Sequence, residues 1–381
     1  MTNHGRNGRR VRPRVNPVRY AVIGLGHVAQ VAVLPAFEHA RRNSRLAALV
    51  SDDPDKLRLL SRRYGVEHAW NYEQLEAGLR SGEVDAIYIA LPNSLHTEYA
   101  LLAARLGVHV LCEKPLALCE KDCVKLIRTC EAYQVRLMTA YRLHFERANL
   151  KAVQIVQSGR IGNPRVFESV FTMPVENPND FRLHRSTGGG TVWDIGIYCI
   201  NAARYLFQSE PEEVLALTVA GVDARFAEVE EAASAILRFP ARRLASFTCS
   251  FGAARTSSYR IVGTEGDLRV DPAYGHDGEL RHVLTVNGRK REQVFAPRDQ
   301  FGPELLYFSD CIRNHVDAEP SGREGLADVR VIRAIYLSAQ KRRAIRLARF
   351  EKRRRPTLKQ EIRKPPVAKT PLDGVRLRRP G

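Results

Sequence analysis

Tyr20-Ala21-Val22-Ile23-Gly24-Leu25-Gly26-His27-Val28-Ala29 decides the fold of this chain. Tyr20 to Ile23 read as a buried strand, and a glycine turn then opens a helical pattern through Ala32, Val33 and Leu34. Strand, glycine turn and helix in that order are the setting in which G-x-G-x-x-[GA] holds a dinucleotide. Gly24 would make the tight turn, Gly26 would let the backbone approach a pyrophosphate, and Ala29 would allow close helix–strand packing. The free N–H groups of the leading turn (Leu25, His27, Val28) favour negative charge, as the positive end of a helix does.

Downstream, the pattern repeats. Leu46–Val50, Val84–Ala90, Val108–Cys112 and Val135–Ala140 read as strands, with helices over Lys56–Tyr64, His96–Leu106 and roughly 119–132. Such alternation predicts a doubly wound parallel sheet with right-handed crossovers, a Rossmann-type α/β domain. From about residue 146 the pattern changes to a helix, a strand at Arg165–Met173, a Pro/Asn/Gly loop and a helical stretch over 191–207. Closely spaced strands at 213–220, 232–239, 243–251, 258–262 and 280–286 follow, and helices near 303–316 and 324–345 close the body. This predicts an α+β domain with an open-faced, mostly antiparallel sheet. The domain plan is a basic arm at 1–19, the dinucleotide domain at 20–145, a substrate and oligomerisation domain at 146–350 and a basic Pro-containing tail at 351–381.

The 381-residue chain is large enough for two cores, and no apolar run reaches the ~18 residues of a membrane span. Its net charge of +18 sits on the ends. Residues 1–20 carry six Arg and no acid, and 341–381 carry sixteen Lys or Arg against three acids, which leaves the body near neutral. The tails read as solvated, weakly polyanion-binding segments with no nucleic-acid role. No apolar segment follows Arg9-Arg10 as an export signal requires, so the cytoplasm is the expected location. The seven cysteines are an odd number, which argues against a disulfide framework. Cys112, Cys119, Cys123 and Cys130 lack a C-x-x-C pair and read as small hydrophobes, with no metal site.

Three further stretches carry polar groups suited to chemistry. Glu113-Lys114-Pro115 follows a strand of the first domain, at the sheet edge where ligands bind. It reads either as a site lysine or as a surface loop. Leu91-Pro92-Asn93-Ser94-Leu95-His96 follows another strand. Pro92 would fix the turn, while Asn93 and His96 read as contacts to the nicotinamide or its ribose, or Asn93 or Ser94 reads simply as a helix N-cap. Gly188-Gly189-Gly190 precedes a helix on which Asp194 and Tyr198, four apart, share a face, either toward a cleft or toward solvent.

Gly24-x-Gly26-x-x-Ala29, Glu113-Lys114-Pro115 and Gly188-Gly189-Gly190…Asp194-x-Gly196-x-Tyr198 together resemble the Gfo/Idh/MocA family of NAD(P)-dependent oxidoreductases. The resemblance runs from about 18 to 350 and includes Tyr141-Arg142. Asp194 to Asn201 looks most like the glucose–fructose oxidoreductase branch, which is similar to sugar and dihydrodiol dehydrogenases. The resemblance implies a substrate site between the two domains, Lys114 as the family's EKP lysine, and Arg142 and Glu113 among the cofactor-binding residues. Inositol dehydrogenases carry histidine where Tyr198 stands, so a histidine mechanism is excluded.

The implied reaction moves a hydride between the nicotinamide and a cyclic sugar, polyol or diol. Tyr198 would take or give the hydroxyl proton, Lys114 would favour the phenolate (a free phenol titrates near ~10), and Asp194 would hydrogen-bond the substrate and orient the pair. Ser51 stands where an NAD enzyme carries an acid, and Lys56 is placed to pair with a 2′-phosphate; this favours NADP, with NAD the alternative because Asp52 and Asp53 adjoin. Two other readings compete: a glucose–fructose-type enzyme with retained NADP, and a non-catalytic NADP-binding regulator, against which the intact Lys114, Asp194 and Tyr198 argue. The open sheet suggests a homo-dimer or homo-tetramer. Loops at 174–187 and 252–260 would shape substrate choice.

Overall fold

The computed structural model describes residues 16–352 and 354–368. The N-terminal arm up to residue 15 and the tail beyond 368 lie outside the described residues.

The first sheet contains β1 (Val18–Ile23), β2 (Ser44–Val50), β3 (His68–Trp70), β4 (Ala86–Ile89), β5 (His109–Glu113) and β6 (Leu137–Ala140). All pairings are parallel, and the order is β3-β2-β1-β4-β5-β6. This is the strand order of doubly wound dinucleotide folds, in which ligands sit beyond the carboxyl ends of the central strands. Helices α1 (Leu34–Ala40), α2 (Pro54–Tyr64), α3 (Tyr72–Arg80), α4 (His96–Arg105) and α5 (Glu120–Ala132) make the crossovers. Their ends follow local rules. Asp53 caps α2, Pro54 opens it, and Gly65 closes it at φ 62°.

The second domain begins with α6 (Arg147–Gln157), β7 (Pro164–Thr172) and α7 (Ile197–Phe207). Then come β8 (Glu213–Val219), β9 (Ala232–Phe239), β10 (Arg243–Ser250), β11 (Thr256–Gly263), β12 (Gly266–Val270), β13 (Leu280–Val286) and β14 (Arg289–Phe295). With β15 (Ile345–Arg346) they form a nine-stranded sheet ordered β14-β13-β12-β11-β7-β10-β9-β8-β15. Every pairing is antiparallel except β7 with β10. Alternation sends Phe167, Phe171, Ala235, Leu237, Phe247 and Cys249 to the inner face, under α7.

After β14 the chain returns to the first sheet. Helix α8 (Phe301–Arg313), within the 146–350 span, packs Phe301, Leu305 and Phe308 into the core formed by β1, β2 and α1. Helix α9 (Gly322–Lys341) lies between α5, β6 and β8. The two domains are thus stitched together by α8 and α9.

One expectation is corrected. From residue 351 a solvated tail was expected, yet the described part runs along the body. Lys352 and Arg355, whose side chains are 3 % and 8 % exposed, pair with Glu319, Glu324 and Glu210. Asp299 donates its amide to the Pro365 carbonyl, and Glu361 pairs with Arg147 and Arg298. The physical reason is charge: buried carboxylates around Arg204 need more cations than the body supplies. Among the described residues, no helix is long and apolar enough to cross a membrane.

Candidate active site

The glycine turn has the geometry its residues imply. Gly24 adopts φ 91°, and a Cβ there would meet the Ala90 carbonyl oxygen at 2.6 Å. Its amide bonds to the Val50 carbonyl, and the Ala90 amide bonds to Ile23, so the turn is wedged between β2 and β4. A Cβ on Gly26 would meet nothing within 4 Å. The first helical hydrogen bond runs from Gln30 N to Gly26 O, which leaves the preceding amides uncommitted to the helix. Leu25 and Ala29 are buried in the core, Val28 is half-buried and His27 is exposed. An open-faced turn with leading amides fits a dinucleotide pyrophosphate.

At the end of β2, Ser51 accepts from the Asp53 amide at 3.1 Å. Asp53 caps α2 through the Lys56 amide, and the Lys56 Nζ lies 3.1 Å from Asp53 Oδ2. Hydrogen bonding to that backbone amide holds Asp53 below the usual carboxylate range. Asp52 accepts from the Tyr72 amide. Lys56 is therefore shared with its own helix cap, and both aspartates have structural partners.

The helix-cap reading of the 91–96 stretch is not what the structure shows. Pro92 opens a 3-10 turn at Asn93–Leu95, with no side-chain cap there or on α4. Asn93 Nδ2 donates to the Gly188 carbonyl at 2.8 Å. His96 is buried, its Nδ1 2.7 Å from the Pro115 carbonyl and its Nε2 3.0 Å from that of Leu91. These side chains tie the loop after β4 to the loop after β5 and to the second domain.

Lys114 and Asp194 meet across the domain boundary. Lys114 Nζ donates to Asp194 Oδ1 at 3.0 Å and to the Asp194 carbonyl at 2.7 Å. Arg182 Nε donates to Asp194 Oδ2 at 2.7 Å. Both carboxylate oxygens are thus held by protein cations, which fixes Asp194 beside Lys114. Burial would raise the Asp194 carboxyl, but Lys114 and Arg182 outweigh it and hold Asp194 well below the ordinary range. Burial likewise opposes the Lys114 charge, and Asp194, Tyr198 and Glu113 more than offset it.

Within 191–207, all residues are buried except Asp194 and Tyr198. Val192–Gly196 winds as a π-helical turn into α7, so the two half-buried side chains emerge beside each other. Gly196 permits this packing, since a Cβ there would lie 3.2 Å from Cys249 Sγ. Two cations flank the Tyr198 ring, Lys114 Nζ and the Arg142 guanidinium, each 5.0 Å from its centroid. Phe171 and Tyr274 wall the other sides. Arg142 is held by the Tyr274 carbonyl and Gln300 Oε1, both at 2.6 Å, so it lies against the tyrosine.

Behind Lys114, Glu113 accepts from Tyr88 Oη at 2.8 Å. Burial pushes its carboxyl up against the pull of Lys114. Glu304 of α8 is fully buried, has no hydrogen-bond partner among the described residues, and is held well above the usual range, first by burial and then by Glu113. Arg182 lies in the 174–187 loop expected to shape substrate choice but belongs to no motif, and Gln300 and Glu304 lie far from every motif. The triple glycine, which needs a close backbone neighbour, also points toward that loop. Cys112, Cys123 and Cys130 are buried in the core, and burial pushes the Cys130 thiol up to about 12.

Comparison with known proteins agrees with this geometry. Residues 18–141 match the oxidoreductase family with an NAD-binding Rossmann fold, and 149–269 match the Gfo/Idh/MocA C-terminal domain. The chain is 34 % identical to D-xylose 1-dehydrogenase [NADP(+)] of Haloarcula marismortui, over 87 % of this chain and 94 % of that protein. The crystal structure of an aldose-aldose oxidoreductase from Caulobacter crescentus, complexed with glycerol, superposes with a TM-score of 0.83 at 35 % identity, covering 87 % of this chain and all of that one. A 3-ketoreductase from Actinomadura kijaniata, crystallised with NADP and TDP-benzene, gives a TM-score of 0.78 at 26 % identity over 85 % and 98 % of the two chains. From the glycine turn to the Lys114–Asp194 contact, this chain belongs to the Gfo/Idh/MocA family of NAD-binding oxidoreductases.

Proposed function

We propose that the chain is an NADP-linked oxidoreductase that moves a hydride between the nicotinamide and a ring carbon of a cyclic sugar or related polyol or diol, with Tyr198 and Lys114 managing the proton. The observation that carries this reading is the half-buried Tyr198 ring between two cations, at the domain boundary and on the strand-end side of the Rossmann sheet. When bound, the nicotinamide supplies the hydride acceptor or donor. The Gly24–Ala29 turn would hold its pyrophosphate. Ser51, at the end of β2, places no acid where a 2′-phosphate would lie. The names of the Haloarcula and Actinomadura relatives support NADP over NAD.

In oxidation, Tyr198 accepts the hydroxyl proton; in reduction, it donates one to the carbonyl oxygen. Lys114 and Arg142 stabilise the negative charge that develops on the phenol oxygen. Among the described residues, no protein hydrogen bond holds the Tyr198 hydroxyl, which leaves it to the substrate. Removing a positioned acid–base group costs about 100- to 10,000-fold. Tyr198→Phe and Lys114→Ala should each lower kcat on that scale, with cofactor affinity preserved for Tyr198→Phe. Near-normal kcat in both variants, measured at the reduced-nicotinamide absorbance against a panel of aldoses, polyols and diols, would sink the reading.

A second reading has support from the Caulobacter aldose-aldose oxidoreductase: one NADP stays bound while one sugar is oxidised and another reduced. Nucleotide recovered from gel-filtered, heat-denatured protein would favour it. An empty supernatant would favour the exchanging dehydrogenase.

A further inference from the structure

From the contacts around Asp194, we infer that Arg182 is a positioning residue for the proton step, and that Gly189 and Gly190 serve to seat it. This rests on the Tyr198–Lys114 reading above.

Five groups form a line of alternating charge that ends at the tyrosine. Asp180 accepts from Arg182 Nη1 at 3.2 Å and from the Arg182 amide at 3.0 Å. Arg182 Nε donates to Asp194 Oδ2 at 2.7 Å, and Lys114 Nζ donates to Asp194 Oδ1 at 3.0 Å. Lys114 then stands 5.0 Å from the Tyr198 centroid. A carboxylate beside a lone ammonium cancels much of the field that the ammonium exerts on a third group. Shared with a second cation, the same carboxylate cancels less. Arg182 therefore leaves the positive charge of Lys114 available to Tyr198, while Asp194 still fixes where that charge sits. Removing Arg182 would leave Asp194 facing Lys114 alone and working against a negative phenol oxygen.

The glycines complete the device. The Gly190 amide donates to the Arg182 carbonyl at 2.9 Å, and the Gly189 amide donates to that of His184, also at 2.9 Å. A Cβ on Gly189 would lie 2.7 Å from the Arg182 carbonyl carbon and closer still to its oxygen. Gly190 takes φ 125°, which side chains rarely adopt. The Arg182 backbone is thus docked a few residues before the helix that bears Asp194, and the 181–187 loop cannot shift without moving the ion pair.

The test uses Arg182→Gln, Arg182→Lys and Gly189→Ala in the full chain, with NADP and D-xylose, or whichever aldose of a panel turns over fastest. Arg182→Gln should lower kcat about 10- to 100-fold, the size expected of a lost charged hydrogen bond, with KM nearly unchanged. The rise of kcat with pH should move to higher pH, and Arg182→Lys should restore most of the rate. Ultraviolet difference titration against Tyr198→Phe reads the same effect without turnover: Tyr198 phenolate absorbance should appear at higher pH in Arg182→Gln. Wild-type kcat and an unmoved titration would overturn the inference, as would a loss confined to KM. If Arg182→Gln does not fold, Gly189→Ala shifts the same loop with every charge retained, and an unmoved pH profile there overturns it too. Lys114→Ala and Tyr198→Phe in the same assay separate the two ideas. If those are silent, the proposed function fails. If they are impaired and Arg182→Gln is silent, only the positioning role fails.

Discussion

Gly24 carries two demands at one Cα: a left-handed φ of 91° and the Ala90 carbonyl 2.6 Å from any Cβ. Gly24→Ala should cost at least about 1–2 kcal/mol from the conformation alone, before the strand ends shift to relieve the contact. Because those strand ends support the turn, nucleotide affinity should fall together with the melting temperature. Thermal melts and fluorescence titration with NADPH check this, and an unchanged affinity would remove Gly24 from the site. Gly24, Lys114 and Tyr198 could be read from sequence because each need is local: a turn, a strand end, a helix face. The protein partners of Asn93, His96 and Lys56 could not. A polar side chain at a strand end looks the same whether it meets a ligand or a carbonyl, and the partner of Asn93 is Gly188, far along the chain. Arg182 was hidden for the same reason, since its partner Asp194 lies beyond an irregular loop.

Elements with a clear period were legible and those without one were not. β9 alternates buried and exposed residues along its whole length and was read from sequence, whereas β14, Arg289-Lys290-Arg291-Glu292-Gln293-Val294-Phe295, buries only Phe295 and carries no such signal. That charged strand blunts one edge of the nine-stranded sheet, and the two-residue β15 ends the other. The outer face is different. Val170, Thr248, Ser234 and Leu217 form one row across four strands, and Glu168, Ser246, Ile236 and Leu215 form the next. Leu217 is 66 % exposed and Val219 59 %, with Val166 and Leu244 adjacent on neighbouring strands. We propose that this face, rather than an edge, pairs with a second copy. Light scattering should find a dimer or tetramer at micromolar concentration. Leu217→Glu with Val219→Glu should yield a folded monomer, and a monomeric parent protein would refute the assignment.

At the scale of the whole molecule, the described tail acts as a counter-charge laid into the body. Glu319 is 6 % exposed, and burial, with Glu324 alongside, lifts its carboxyl to about 7 although Lys352 sits 2.6 Å away. Burial likewise raises Asp328 to about 6 against the pull of Arg204. The sign follows from proton counting. Between the ordinary carboxyl range and about pH 7, the unfolded chain has released these protons and the folded chain still holds them. Stability should therefore fall as pH rises through that window. Lys352 limits the fall by stabilising ionised Glu319 and Glu324, the latter at 2.7 Å. Breaking a buried pair by removing one partner costs roughly 3–5 kcal/mol. Lys352→Ala should approach that cost near pH 8, where Glu319 is ionised in the parent protein, and should cost distinctly less near pH 5, where Glu319 keeps its proton. Urea unfolding of the two proteins at both pH values decides it. An equal penalty at each would mean that Lys352 acts through Glu324, which is ionised at both pH values, and the protonation of Glu319 would no longer set the pH dependence of the tail's contribution.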